Sequence, residues 1–548
     1  MATVTNGQRL TIDAIHLHNG GTMHAAAPPQ PASRRHTLRV AVALAAAAVL
    51  ATGCSVANTT QTDAASPDTL RIVLPQEPPT LEPCDASLTA TGPIVRSNIT
   101  EPLVERDPIS GDLGPKLADS WEQTSPTTWT FRLHPGVKFS DGTTFDADDA
   151  AFSIDRTVNS SIGCDVDGYV FGDDDLGIEA VDPATVTVTT VTPDPILPLR
   201  ISFVEMVPDT TDATDKVRIP IGTGPYQVDY WDAGQKLALA VNPEYSGPTP
   251  DYTRAVYQWR TEGSVRAAMV TNDEAEIATY LGPEDGAGDL GVAYPNNETT
   301  ALRLQATEPP LDDYRVREAI DLSINRAGIV KALFRGLGEP AAQLVGNSIV
   351  GYNDQLTPTP YDLERAKELV AEAKADGVPV DKEIKLIGRT GQFPKINETI
   401  EVIQNSLDQV GLNVKIEMMD TSGQMQYQIR PFPDAGPVML MVQHGNQAGD
   451  AQFTAEQYLL SDGYQSTYGT PEYDAEIVAA QEQIGDARQA AFAGVLADEP
   501  RLIRQYAYIA HMNAVLAKAT SVAYQPNSGT GDEMRLAEMK HAESSGND

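Results

Sequence analysis

The sequence predicts an exported α/β protein whose first half is richer in β structure than its second half. Three patterns carry this prediction: a short apolar run near the N-terminus, alternating apolar residues at 129–133, and helical spacing of apolar residues from 316 onward. A period of 2 indicates a half-buried strand, and a period of 3.6 indicates an amphipathic helix. Helices that alternate with short strands indicate an α/β lobe.

Residues 40–51 form an uncharged apolar run, VAVALAAAAVLA, that follows three arginines (Arg34, Arg35 and Arg39). A membrane-spanning helix needs about 20 apolar residues, so this run is too short to span. A basic stretch, a short apolar stretch and small residues at its end are typical of a secretory signal peptide. We therefore predict a signal peptide at 1–53, with Met23 as the expected true start.

Cys54 follows the apolar run in LATGC, which resembles a bacterial lipobox with its leucine one place early. We expect Cys54 to be lipidated and residues 54–67 to form the lipidated N-terminus and a flexible polar tether. Ser33 to Arg39 resembles a twin-arginine signal, so general secretory and twin-arginine export both stay open.

The charge of the chain argues against anionic partners. Removal of residues 1–53 takes away four arginines and one aspartate, which changes the net charge from −37 to −40. Such a chain repels nucleic acid and anionic lipid, so we expect neither as a partner.

Besides Cys54 the chain has Cys84 and Cys164, which form a disulfide or remain two buried thiols; export favours the disulfide.

The first half contains the clearest strand pattern. Trp129, Phe131 and Leu133 alternate with polar residues, and Pro135-Gly136 then turns the chain. Residues 145–156 follow as a helix with acids early and an arginine late, which suits the helix dipole. Residues 185–191 read as a further strand.

The second half contains three sets of apolar residues at helical spacing. They begin at Val316, Leu363 and Ile396, and Gly411 ends the third set as a helix stop. Residues 414–416 then read as a strand. We therefore expect an α/β lobe in this half.

Sequence motifs for catalysis are missing from the mature chain. It has no HExxH or CxxC zinc pattern, no GxSxG nucleophile elbow and no GxxxxGK[ST] phosphate loop. We expect no catalytic residue, no metal and no cofactor. An exported hydrolase or cell-envelope-processing protein stays open as the alternative, because catalytic triads are assembled in space rather than in sequence.

An ordered series of motifs resembles the family 5 extracellular solute-binding proteins of peptide, nickel and related ABC importers. The series is NITEPLV at 98–104, LADSWE at 117–122, WTFRLHPGVKFSDG at 129–142, GTGPY at 222–226, NPEY at 242–245, VREAI at 316–320 and YDLERA at 361–366. Each motif alone is weak, but the order and spacing over nearly the whole mature chain are specific.

The resemblance implies a two-lobed clamshell like that of periplasmic binding proteins, with an additional β-rich domain. The implied limits are a discontinuous first lobe at 68–105, 222–303 and 515–535, an additional domain at 106–221, a second lobe at 304–514 and a polar tail at 536–548. The lobes would close on a small solute, such as an oligopeptide or an opine-like compound, and deliver it to a membrane permease.

The resemblance also places the ligand between two loops, one after the first strand and one late in the second lobe. The implied contacts are Gln76, Thr89, Gly92, Gln392, Phe393, Gln443, His444, Asn446, Asp450 and Phe453. Peptide-binding members hold the peptide amine with an aspartate where this chain has Asn446. Asparagine offers no full countercharge, so Asp450 becomes a shifted anchor or the ligand is neutral and polar.

The resemblance further implies partners and a location. We expect a small-molecule or peptide ligand, ABC permease subunits, and contact with the membrane only through the lipid anchor. We expect a monomer at the extracytoplasmic face of the cell membrane, in the periplasm or cell-envelope space.

Overall fold

The computed structural model describes residues 66–86, 91–107, 109–172, 175–526, 529–530 and 533–542. Its strands are β1 (Thr69–Leu74), β2 (Val104–Arg106), β3 (Leu113–Pro115), β4 (Ala118–Ser125), β5 (Thr128–Leu133), β6 (Gly177–Asp182), β7 (Thr185–Thr189), β8 (Tyr226–Asp232), β9 (Lys236–Val241), β10 (Arg254–Trp259), β11 (Ile277–Ala278), β12 (Gly291–Leu304), β13 (Gly338–Pro340), β14 (Ile384–Arg389), β15 (Val414–Met419), β16 (Val438–Gly445), β17 (Tyr506–Lys518), β18 (Val522–Ala523) and β19 (Lys540–His541).

The helices are α1 (Gly92–Val95), α2 (Ala147–Val158), α3 (Leu197–Ile201), α4 (Gly263–Thr271), α5 (Tyr314–Leu322), α6 (Arg326–Ala332), α7 (Leu363–Ala375), α8 (Ile396–Gln409), α9 (Thr421–Gln428), α10 (Ala451–Thr454), α11 (Pro471–Gln481) and α12 (Gly485–Asp498). The predicted signal peptide and Cys54 lie outside the described residues. Among the described residues, no helix is both long and apolar enough to cross a membrane.

One large sheet runs through both lobes in the order β15-β14-β16-β12-β17-β11-β1-β10-β9-β8, with β13 added beside β17. The long strands β12 and β17 join its two halves, and their register breaks between Pro295 and Thr299. In the first lobe β1 lies parallel to β10 and β11, and in the second lobe β14 lies parallel to β15 and β16. The predicted two-lobed α/β fold is confirmed.

Helices cover both faces of the second-lobe half of the sheet. In α8, Ile396, Ile400, Ile403 and Leu407 are all buried in the core that also contains α5 and α7. The predicted helical spacing is therefore confirmed, because each apolar stripe faces this sheet. Gly411 has a positive φ of 92° just after α8, a conformation that glycine adopts without strain.

A separate sheet, β4-β5-β7-β6, forms the β-rich part of the first half. We call residues 103–206, the span of its core, the four-stranded unit. Phe131 is fully buried there, and the Trp129 indole N–H donates to the Asp194 carbonyl at 3.0 Å. Helix α2 begins at a reciprocal capping box between Asp146 and Asp149, two residues later than predicted.

The last described segment differs from the expected polar tail at 536–548. Leu536 and Met539 are buried in the first-lobe core, and β19 pairs with β18. The expectation of a polar tail from residue 536 is therefore corrected over residues 536–542. The segment is polar on average, but Leu536 and Met539 are apolar and cover part of the first-lobe core.

Cys84 and Cys164 are joined by a disulfide, with their Cα atoms 5.2 Å apart. The bond ties the loop after β1 to the four-stranded unit. Beside it, both guanidinium nitrogens of Arg156 donate to the buried carboxylate of Glu82, at 2.7 and 3.1 Å. A bidentate, hydrogen-bonded pair holds its geometry more strictly than a single contact.

Candidate ligand-binding cleft

The carboxyl ends of parallel strands mark the candidate cleft, because ligands of α/β sheets bind outside those ends. In the first lobe the loop after β1 begins at such an end, and in the second lobe the loops after β14 and β16 do. Nine of the ten predicted ligand contacts fall on these loops or on strand and helix residues beside them. Thr89 lies outside the described residues.

Asn446 is buried inside the loop after β16, and within the described part of the chain its side-chain hydrogen bonds stay in its own lobe. Its amide nitrogen donates to the Asp450 carbonyl at 2.8 Å and to the Thr454 hydroxyl at 2.9 Å. Its amide oxygen accepts the Gly449 N–H at 2.9 Å. The side chain therefore stabilises the shape of the loop.

Asp450 has an internal cation as its partner. Arg488 of α12 donates to both carboxylate oxygens, at 2.7 and 2.8 Å, and both side chains are buried. Asp450 also caps α10 by accepting the Gln452 N–H at 2.9 Å. Its charge is thus already neutralised, and the expected role as a shifted amine anchor has no support in this geometry.

His444 is a neutral, buried side chain. Burial lowers the pKa of its imidazole to about 3. Its Nε2 atom lies 2.7 Å from the Thr454 hydroxyl, and its ring centroid lies 4.3 Å from that of Tyr458. Among the described residues, no group of histidine, cysteine and acidic side chains is arranged to hold a metal ion.

Gln443 and Gln392 lie near the carboxyl ends of β16 and β14, beside the candidate cleft, whereas Phe393 points into the core. Gln443 is half-buried and donates to the Glu298 carboxylate at 2.6 Å. Gln392 donates to the Met441 carbonyl at 3.1 Å. Phe393 is buried in the second-lobe core, edge-on to Phe334 at 6.0 Å between ring centroids. The expected cleft contact by Phe393 is therefore corrected, because its apolar ring completes that core.

The two described first-loop residues differ in exposure. Gln76 is exposed, two residues beyond β1. Gly92 is buried at the start of α1, where a Cβ atom would lie 2.6 Å from the Ala86 carbonyl oxygen. Glycine at this position lets the loop pass close to the helix.

Phe453 lies in a small apolar core with Ala448 of the same loop and with Val166, Val170, Ile196 and Phe203 of the four-stranded unit. The guanidinium of Arg200 lies over the Phe453 ring, 4.8 Å from its centroid. A cleft of about 860 Å³ opens beside this contact, lined by both parts of the chain. Phe453 therefore meets a neighbouring domain rather than open cleft.

A buried ionic network lies behind this core, where the first lobe meets the four-stranded unit. The carboxylate of Glu205 accepts the Thr100 hydroxyl at 2.7 Å and lies 3.6 Å from Arg96, whose guanidinium stacks over Phe203. Burial raises the pKa of Glu205 to about 7. Burial also raises the pKa of Glu101 although Lys116 lies 3.1 Å away.

Sequence reasoning missed four residues that shape the cleft: Arg106, Arg200, Glu298 and Arg488. Each is a charged residue on an ordinary strand or helix, and no local motif distinguishes it. Their partners beside the cleft, which are Gln447, Phe453, Gln443 and Asp450 in the same order, lie 38 or more residues away. Only the folded chain brings them together.

Two lobes joined by crossing strands, with loops at the carboxyl ends of parallel strands, define the class of clamshell solute-binding proteins. The chain belongs to the bacterial extracellular solute-binding proteins, family 5, whose family model matches residues 112–466. The predicted family is thereby confirmed.

Two curated relatives and one solved structure are similar to the chain. It is 29% identical to the dipeptide-binding protein of Escherichia coli over 57% of this chain and 65% of that protein, just under two thirds of its length. It is 27% identical to the glutathione-binding protein GsiB of Salmonella paratyphi A, over 64% of this chain and 71% of that protein. The crystal structure of the ABC transporter substrate-binding protein CtaP from Listeria monocytogenes superposes with a TM-score of 0.74, at 21% identity, over 86% of this chain and 99% of that one.

Proposed function

We propose that this chain is the extracytoplasmic substrate-binding subunit of an ABC importer, which captures a small polar solute between its lobes and delivers it to a membrane permease. Family membership supports this proposal, as does the likeness to proteins named for dipeptide and glutathione binding. We propose the lobes and the additional domain with the limits that the resemblance implies, except that residues 536–542 pack on the first lobe and are not part of a polar tail.

The internal bonding of Asn446 and Asp450 carries the choice of solute class. The first is neutral and uses both of its N–H groups within the loop, and the second is paired with Arg488. A buried ammonium needs a countercharge, and neither group in this loop supplies one. We therefore favour a polar compound without a free α-amine at this loop, such as an opine-like compound or a blocked peptide, over an ordinary oligopeptide.

Native mass spectrometry of the gently purified chain tests this proposal, because it detects a retained solute that is released on denaturation. We expect a small polar molecule that also raises the melting temperature when it is added back. A peptide with a free N-terminus would contradict the solute class. If no member of a panel of dipeptides, glutathione, opines and sugars stabilised the chain and none copurified, the proposed function would be wrong.

A pair of glutamine variants locates the solute. Gln443→Ala removes a half-buried amide at the carboxyl end of β16, and we expect it to reduce the stabilisation by the solute. Gln404→Ala is the matched control, because its amide only bonds the Val414 carbonyl within the second lobe. Equal solute responses in both variants would move the site away from Gln443.

The remaining proposals concern chemistry and location. We propose that the chain catalyses nothing, that it acts as a monomer, and that lipidated Cys54 and the tether hold it at the extracytoplasmic membrane face. Labelling with a radioactive fatty acid, lost in Cys54→Ala, tests the anchor. Turnover of a retained solute by pure protein would contradict the first proposal.

A further inference from the structure

The loop after β16 touches the four-stranded unit through a buried contact. Ala448 and Phe453 share an apolar core with Val166, Val170 and Phe203, although the two groups belong to different parts of the molecule. Phe453 is 4% exposed. A phenylalanine side chain that is this well covered contributes strongly to the adhesion of the surfaces that cover it.

Arg200 extends this contact with charge. Its guanidinium donates to the Asp194 carboxylate at 2.8 Å and to the Val170 carbonyl within its own unit. The same group stacks over the Phe453 ring and lies 3.7 Å from the Glu456 carboxylate. Arg200 is 8% exposed, so these interactions are weakly screened by water. One side chain thus binds groups on both sides of the contact.

Arg106 makes a second link to the same loop. Its guanidinium donates to the Gln447 carbonyl at 2.7 Å and to the Gly111 carbonyl at 3.1 Å. Gly449 has no room for a side chain here, because a Cβ atom would lie 2.1 Å from the Arg106 guanidinium carbon. The loop is therefore shaped to receive this arginine. We call Arg106, Arg200, Phe203, Ala448 and Phe453 the buried bridge.

On another side of the cleft the lobes meet through exposed groups. The Lys395 ammonium lies 3.7 Å from the Glu284 carboxylate, and Arg335 donates to the Pro283 carbonyl at 2.9 Å. We call these four residues the exposed bridge. Lys395 also lies 3.1 Å from Glu398 of its own helix, so one amine has a carboxylate neighbour in each lobe.

We propose that the four-stranded unit is a working part of the clamp: Arg106, Arg200 and Phe453 position the loop after β16 and bias the lobes toward closure. These residues are positioning residues that do not themselves touch solute. The inference rests on the proposed function, because closure matters here as the means of retaining a solute. Loss of the bridge lowers the fraction of closed molecules and so weakens the apparent affinity for solute.

A carbodiimide cross-link measures closure without a solute. The reagent converts a carboxylate into an O-acylisourea, the Lys395 amine attacks its acyl carbon, and an amide forms with no added spacer as a substituted urea leaves with the amine proton. The Glu284–Lys395 link requires closed lobes, whereas the Glu398–Lys395 link forms within one lobe. The ratio of the two cross-linked peptides, measured by mass spectrometry on the full chain, therefore reports closure with an internal reference.

We expect the ratio to fall about tenfold in Arg200→Ala and Phe453→Ala, the factor that ~1.4 kcal/mol corresponds to. Arg106→Ala should lower it less, and Arg106→Lys should recover part of it by keeping a donor for Gln447. The matched control is Arg317→Ala, which removes an equally buried arginine that bonds carbonyls of Leu311 and Ile503 within the second lobe. Its ratio should equal that of the wild type.

Two results would overturn the inference. One is a wild-type ratio retained by Arg200→Ala and Phe453→Ala in folded protein, checked by circular dichroism. The other is the lack of any Glu284–Lys395 link in the wild type while the Glu398 link forms. Failure of the proposed function is distinguishable. It shows as the absence of a bound solute, whereas the cross-link ratios are measured without solute, so the expected difference between wild type and variants would remain.

Discussion

The two bridges join the second lobe to different neighbours by different physical means: the buried bridge reaches the four-stranded unit, and the exposed bridge reaches the first lobe. In the buried bridge, apolar rings and desolvated guanidinium groups pack together, with Arg200 and Phe453 almost fully covered. In the exposed bridge, the side chains of Lys395 and Glu284 are 34% and 40% exposed. Water screens the second set strongly and the first set weakly, so contacts of similar length differ in what they contribute.

This difference assigns different roles to the two sides of the cleft. The buried bridge carries the adhesion between the second lobe and the four-stranded unit, and its strength depends on the shape of the loop after β16. The exposed bridge contributes little free energy and mainly reports that the lobes are near each other. The candidate solute loop is thus held by the four-stranded unit more than by the first lobe.

The largest expected effect comes from removing the cation behind the buried bridge. Arg488→Met leaves Asp450 buried without its partner, which should lower the free energy of unfolding by about 3–5 kcal/mol. Urea denaturation measures this change. Arg365→Met on the exposed face of α7 is the control and should have no measurable effect. A loss equal to that of the control would mean that the pair does not stabilise the loop.

The next largest effect is a dependence of the free energy of unfolding on pH, which arises from the buried carboxylate of Glu205. The pKa of Glu205 is raised to about 7 in the fold from an ordinary 4.5, so the folded state binds the extra proton. Its contribution to stability is fully present below pH 4.5 and is lost as the pH rises through 7. Glu205→Gln removes this loss, on the order of 1–3 kcal/mol between pH 5 and pH 8.

Melting temperatures of the wild type and Glu205→Gln at pH 5 and pH 8 test this sign. The melting temperature of Glu205→Gln should increase relative to that of the wild type as the pH rises from 5 to 8. The lowered pKa of His444 acts in the opposite direction below pH 6.5, but it is common to both proteins and cancels in the comparison. A melting temperature of the variant that falls relative to the wild type between pH 5 and pH 8 would contradict the raised pKa of Glu205.

A smaller effect separates backbone strain from collision with Arg106. Gly449 and Gly436 have positive φ values of 83° and 80°, but only a Cβ at Gly449 would meet the guanidinium. Gly436→Ala should cost about 1–2 kcal/mol for the left-handed conformation. Gly449→Ala should cost more and should also lower the cross-link ratio. Equal effects of the two substitutions on stability and cross-linking would show that the close approach of Arg106 to Gly449 affects neither property.

The smallest effect belongs to the exposed bridge. Lys395→Ala should lower the melting temperature slightly at low ionic strength and not at all in 1 M salt, because salt screens exposed ion pairs. Differential scanning fluorimetry at both salt concentrations measures this. A salt-independent loss as large as that of Phe453→Ala would reverse the comparison between the two bridges.

Much of the fold was predictable because local periodicity reports which face of an element is buried. The stripe of α8 and the alternation around Phe131 both specify their elements from within a few residues. The site was less predictable. Phe393 packs on Phe334, far away in sequence, and Leu536 and Met539 find a core in a segment that reads as polar.

The sequence by itself determined the alternation of strands and helices and the family, and it predicted export and the loops that border the candidate cleft. Tertiary structure alone decided what those loops do: Asn446 and Asp450 turn inward because Gly449, Thr454 and Arg488 complete their bonds. Phe453 faces the four-stranded unit because Arg200 and Phe203 lie there. The physical reason is that burial follows a local period, whereas the partner of a buried charge or ring is chosen by packing between distant segments.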